Sequence, residues 1–200
     1  FTDTEDTNYY FDVGCDHLRE ALDRFAQFFI KPLFTESATD REMNAVDSEN
    51  SKNLQTDSWR ENMLLSSLAR SDHPYSKFST GNLATLAGEE IDARGKCIRF
   101  HERHYSANVM KACIYGRDSL DELEKMALKY FQEVPNKRLD GPPRVPRDPY
   151  TAAQTGKVLR WVPVKDKNAV TLSFPIPSTM RDYEAKPGSY LAHLLGHESE

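Results

Sequence analysis

No apolar run in this 200-residue chain approaches the roughly 20 residues needed to cross a bilayer. The first stretch, Phe1 to Phe11, has neither the basic start nor the apolar segment of a secretory signal, and it reads as cut from a longer chain. Positive charge is also in short supply. With 26 basic against 31 acidic side chains the formal net charge is −5, which gives a polyanion or an anionic lipid surface nothing to hold. Neither nucleic acid nor a membrane is therefore expected as a partner. Cysteine is sparse and odd in number, and Cys15, Cys97 and Cys113 form no CxxC or Cys/His ligand spacing. They read as reduced, buried structural thiols in a reducing compartment, the cytoplasm. What is present, 38% hydrophobic and 28% charged residues, is the composition of an ordinary globular protein rather than a disordered one.

Glycine and proline are missing altogether from Asp40 to Leu68, a stretch rich in helix formers that can run as one helix or as two separated near Thr56 and Asp57. Upstream, Asn8 to Val13 suits a short strand. A helix then starts near Asp16, carries Leu18, Leu22, Phe25 and Phe29 on one face as core, and stops at Pro32. The turn Ser79-Thr80-Gly81-Asn82 breaks the chain before a helical pattern from Ile91 to Tyr105. Asn108 to Gly116 reads as a buried strand. Ser119 and Glu122 have the spacing of a capping box for a helix with Leu123, Ala127, Tyr130 and Val134 on its apolar face, ended by Pro135. Pro142, Pro143, Pro146 and Pro149 then make the best domain boundary, an extended linker over about 140–157. Beyond it, Val158–Val164 and Ala169–Ile176 alternate as a hairpin would, and Pro187 opens a last helix through Leu191, Leu194 and Leu195.

One feature of the Asp40–Leu68 stretch carries chemistry. Glu42 and Glu49 stand seven residues apart, two helical turns, which separates them by about 10.5 Å of rise and an angular offset of about 20°. Both carboxylates share one face with Ala45 and Val46 between them, so a face that would otherwise turn to the core carries an acid at each end. A metal, a basic partner or plain solvent exposure would each accommodate them, and surface acids are the commonest case.

The segment around these acids, DREMNAVDSENSKN, does not stand alone. Together with TNYYFDV, LREALDRFAQFFIKPLF, SKFSTGNLATL, YSANVMK, FPIP and LLGHE it resembles the insulin-degrading enzyme, pitrilysin and nardilysin family of inverted-motif zinc metallopeptidases, in the same order and over essentially the whole chain. The resemblance implies a zinc ion held by two histidines of an H-x-x-E-H motif and a glutamate on a later helix. Glu49 matches that glutamate, and Glu42 matches a second acid that supports the site from behind the ligand. It also implies that Phe1, Trp59 and Thr80 lie near the pocket for the residue after the cut bond. Asn62 stands where the family more often has an aromatic. No H-x-x-E-H occurs in the chain, and the family's order puts it before Phe1, so the chain by itself is expected to hold no zinc and to be inactive.

Two histidine pairs imitate a metal motif. His101 and His104 are three residues apart, and His193 and His197 are four apart with no glutamate between them, so both are read as packing residues. The implied fold is α/β, more strictly α+β, with helices layered on mixed or antiparallel sheets. Residues 1–145 would be the remainder of a first, catalytic domain and 146–200 the beginning of a related second one. The implied function is zinc-dependent cleavage of peptides by metal-activated water in the parent protein. A non-catalytic core or binding subunit of the same superfamily is the rival. Peptides would be the partners, and the exposed apolar faces of such a piece would favour self-association.

Overall fold

A computed structural model describes the chain apart from residues 4–5, 89, 142–144, 146–147, 167 and 197–200. Seven α-helices carry the described structure: α1 Leu18–Ile30, α2 Glu36–Asn53, α3 Asp57–Leu68, α4 Leu83–Leu86, α5 Ala93–His104, α6 Leu120–Phe131 and α7 Pro187–Gly196. Each α-helix long enough to carry a pattern follows from its own signals. Helix α1 buries Leu22 and Ala26, and α6 buries Leu123 and Met126. The two helices pack together, with Leu18, Ile114, Tyr130 and Phe131 closing round Leu22, Leu123 and Met126. Gly116 lies beside the same contact, where a Cβ would meet Leu123 at 3.4 Å and Leu18 at 3.5 Å, an ordinary packing distance. An aromatic cluster extends the core, with Phe25 in ring contact with Phe11, Phe28, Phe29 and Phe131.

The α+β expectation is overturned. Among the described residues there is no strand, and the single β-bridge joins Thr2 to Thr7. The runs Asn8–Val13, Asn108–Gly116, Val158–Val164 and Ala169–Ile176 lack any ladder, and the first residues of Asn108–Gly116 belong to a 3-10 turn, Ala107–Val109. The physical reason is that alternation reports a side-chain preference, whereas a strand exists only when its N–H and C=O groups find a neighbouring strand. The burial expected of Asn108–Gly116 holds in part, with Ile114 against the core but Tyr115 97% exposed. The presumed hairpin turn at Lys165–Asn168 includes Lys167, which lies outside the described residues, as do Pro142, Pro143, Pro146 and His197.

Three smaller expectations are also corrected. Helix α2 starts at Glu36, not near Asp40, because the Thr35 hydroxyl accepts from Ala38 N–H at 3.3 Å and caps it. Only half of the capping box forms at α6: Ser119 Oγ accepts from Glu122 N–H at 3.4 Å, while the Glu122 carboxylate pairs with Lys125 at 2.8 Å and Arg19 at 3.6 Å. All three cysteines are free but exposed, not buried.

The chain divides into two compact units, Phe1–Val158 and Leu159–Glu200. In the first, the expected linker is tied down: Tyr150 OH donates to Leu65 O at 2.8 Å and Arg70 N–H donates to Pro149 O at 2.9 Å. The second holds an extended stretch, a 3-10 turn at Met180–Asp182 and α7. No helix among the described residues is long and apolar enough to cross a membrane.

Candidate metal ligand and its surroundings

Helix α2 is regular through both acids, so Glu42 and Glu49 share a face as their spacing requires. Both are exposed, and neither carboxylate has an ion-pair or hydrogen-bond partner among the described residues. The helix is buried on an adjoining stripe, but its fully buried positions are Asn50 and Asn53, while Ala45 is exposed and Val46 half-buried. Asn50 Oδ1 and Asn53 Nδ2 are shut off from solvent with no partner among the described residues. The sequence reading missed these two. The helical period puts Asn53 one turn after Glu49, but it does not say which side of α2 is buried.

It also missed Asp47. Its Oδ1 accepts from Leu83 N–H at 2.9 Å across 36 residues of sequence, which fixes the start of α4 on α2. The preceding turn is docked on the neighbouring residue, since a Cβ at Gly81 would lie 3.5 Å from Val46 Cγ1. Gly81 has φ +89°, a conformation glycine adopts without cost. Asn82 and Thr85 then close a reciprocal capping box, each side chain accepting from the other's backbone N–H at 3.0 Å. Thr80 is therefore held one residue from a contact with Val46, between the two acids in sequence.

The other two predicted pocket residues are not joined to it. Trp59 lies on α3 and is 43% exposed, so it is not core. Phe1 is exposed, its backbone paired with Asn8 through two bonds of 2.9 Å. No hydrogen bond or ring contact connects Phe1, Trp59 and Thr80 among the described residues. A cavity of about 770 Å³ is lined by α1 and α5 residues such as Phe28, Phe100 and His101 and includes none of the predicted site residues. His101 stacks on Tyr105 with ring centroids 4.5 Å apart, and His104 meets Phe100 at 4.6 Å. Burial, and then the Lys137 charge, lower the pKa of His101 below its ordinary value, with Glu102 opposing.

Among the described residues no group of three or more His, Cys, Asp and Glu side chains is placed to hold a metal. Glu49 fits zinc as one donor of a set: an anionic oxygen on a rigid helix, exposed and unclaimed by any cation.

Comparison with known proteins identifies the family. A family model described as insulinase, peptidase family M16, matches residues 1–72, and one described as the peptidase M16 inactive domain matches residues 94–200. The chain is 47% identical to human insulin-degrading enzyme, covering 99% of this chain and 20% of that protein. It is 46% identical to a peroxisomal insulin-degrading enzyme-like protein of Arabidopsis thaliana (100% and 21%), and 45% to a putative zinc protease of Schizosaccharomyces pombe (100% and 21%). A crystal structure of pitrilysin aligns with TM-score 0.66 at 38% identity over 71% of this chain and 15% of that one. The chain thus spans about a fifth of the length of the curated relatives it matches. With family models covering both the acidic helix and the C-terminal half, the chain belongs to the M16 peptidase family.

Proposed function

We propose that the protein carrying this chain is a zinc-dependent metalloendopeptidase that cleaves peptides, and that this chain contributes one of its metal ligands, Glu49. The observation that carries the reading is the pair of unpaired, exposed carboxylates on one face of α2, within the residues matched by the insulinase model. Glu42 stands behind Glu49 as a supporting acid, and Phe1, Trp59 and Thr80 border the pocket for the residue after the cut bond. Zinc held by three protein ligands with one open position supplies a bound water of pKa near 7. The remaining ligands, an H-x-x-E-H pair, come from residues outside this chain, which alone is inactive. Residues 1–145 belong to the catalytic domain and 146–200 to a second, related one. The protein works in the cytoplasm, with peptides as its partners and neither nucleic acid nor a membrane among them.

The rival is a non-catalytic subunit, favoured by the inactive-domain match over residues 94–200. That match leaves out α2, and a subunit without metal has no chemical reason to keep two unpaired acids there. In the full-length protein, Glu49→Gln is expected to lose zinc and peptide cleavage together. Glu42→Gln keeps zinc but weakens its affinity about 10- to 100-fold. Stoichiometric zinc in purified E49Q protein, measured by elemental analysis, refutes the ligand role.

A further inference from the structure

The turn that bears Thr80 stands against the acidic helix partly through apolar contact, with Gly81 close to Val46 and to the half-buried Leu86. Phe78 before it is exposed and Leu83 after it only half-buried. A directional bond adds to this. Leu83 is the first residue of α4, and the N–H at that position has no acceptor within its own helix. The Asp47 carboxylate supplies one at 2.9 Å. Asp47 lies between Glu42 and Glu49 in sequence, and Val46, the residue before it on the helix, lies against Gly81. Helix α2 thereby does two things with adjacent positions: one side carries the acids, and Asp47 with Val46 carries the turn.

We infer that Asp47 is a positioning residue that sets where the Thr80 turn stands relative to Glu49, and so tunes which residue is accepted after the cut bond. The inference rests on the proposed reading of Glu49 and Thr80. Asp47 would act through Leu83 N–H, not on the substrate. Its carboxylate already accepts from a backbone donor, which occupies it differently from the free acids on either side. A neutral acceptor of the same shape would serve equally, which separates this role from an electrostatic one: Asn at this position retains an oxygen for Leu83 N–H but no charge.

The test uses the full-length protein with zinc bound and two peptides that differ only in the residue after the cut bond, one large and aromatic, one alanine. Asp47→Ala is expected to keep stoichiometric zinc and to change the ratio of kcat/KM for the two peptides about tenfold, mostly through KM. Asp47→Asn should restore the ratio to within about twofold. Leu83→Pro is a second route to the same loss: it removes the donor at a position where a helix tolerates proline. The preceding Asn82 has the extended backbone that proline requires there, with φ −158° and ψ 173°. Hydrogen exchange at the Leu83 amide should speed up in D47A and not in D47N. The inference is overturned if D47A and L83P keep the wild-type ratio, if they lower kcat equally on both peptides, or if D47N behaves as D47A does. Zinc retained by E49Q would instead strike the ligand reading, and the exchange rate of the Leu83 amide would still report on the Asp47 bond.

Discussion

Ser106 is fully buried, and its hydroxyl is the centre of a small polar staple. Its Oγ donates to Asn108 Oδ1 at 2.7 Å and accepts from Lys137 N–H at 2.8 Å. Asn108 continues the staple, donating through Nδ2 to Leu139 O at 2.7 Å and accepting from Leu139 N–H at 3.2 Å. Together these bonds tie the exit of α5 to the segment after α6. Ser106→Ala removes the hydroxyl and leaves Lys137 N–H without that acceptor, while Asn108 Oδ1 still accepts from Leu139. Losing this part-buried bond, whose donor at the exposed Lys137 can turn to water, costs about 1 kcal/mol, which corresponds to about a fivefold increase in local opening. The neighbouring bond from Ala107 N–H to Pro135 O, at 3.0 Å, involves no side chain and should persist. Hydrogen exchange read peptide by peptide in the full-length protein separates the two. Exchange at Lys137 should quicken about fivefold while that at Ala107 changes little. Equal protection at Lys137 in wild type and S106A would refute the assignment of the staple to this hydroxyl.

Met126→Ala, in the contact between α1 and α6, should cost about 2–5 kcal/mol and lower amide protection in both helices together, whereas Leu128→Ala on the exposed side of α6 should stay within about 0.5 kcal/mol. Protection of α1 untouched by M126A would show that the two helices do not depend on each other. His101 gives a pH dependence whose sign follows from its lowered pKa. The unfolded chain takes up the proton at a higher pH than the folded one, so this stability is complete above the ordinary histidine value of about 6.5 and is lost as pH falls below it. Melting curves from about pH 7.5 to about pH 5 should fall more steeply for wild type than for His101→Phe, which keeps a ring against Tyr105 and Phe34; parallel curves would refute it.

The helices were legible where one local rule sufficed. The stripe Leu18, Leu22, Phe25 and Phe29 needs only the helical period, and so does the shared face of Glu42 and Glu49. A division of the long stretch near Thr56 and Asp57 was one of two alternatives that composition left open, and the structure takes it, with α2 and α3 parting at that point. What depends on distant partners was not legible. The alternation of Val170, Leu172, Phe174 and Ile176 records a preference that becomes a strand only against a neighbour, and all four are exposed. The Asp47–Leu83 bond spans 36 residues and leaves no trace in spacing. Likewise, nothing local told that Asn50 and Asn53, rather than Ala45, would be the residues of α2 shut away from solvent.

Helix α2 is thus held by different means from α1 and α6. Those two present apolar stripes to each other, and the area they remove from water stabilises them wherever the side chains can pack. The most buried positions of α2 are polar, and its Asn50 and Asn53 have atoms without partners among the described residues. A helix chosen for stability alone would not look like this, because each buried polar atom left unsatisfied costs about 1–3 kcal/mol. Local rules broken together on one element mark a place where sequence serves something other than the core. Contacts of that kind are directional: a cap at Thr35, a carboxylate at Asp47 and a close-fitting glycine at Gly81 fix angles as well as distances. It follows that substitutions in the α1–α6 core should be felt first as stability. Substitutions along α2 should be felt first as geometry, in the aim of Glu49 and the placing of the turn beside it.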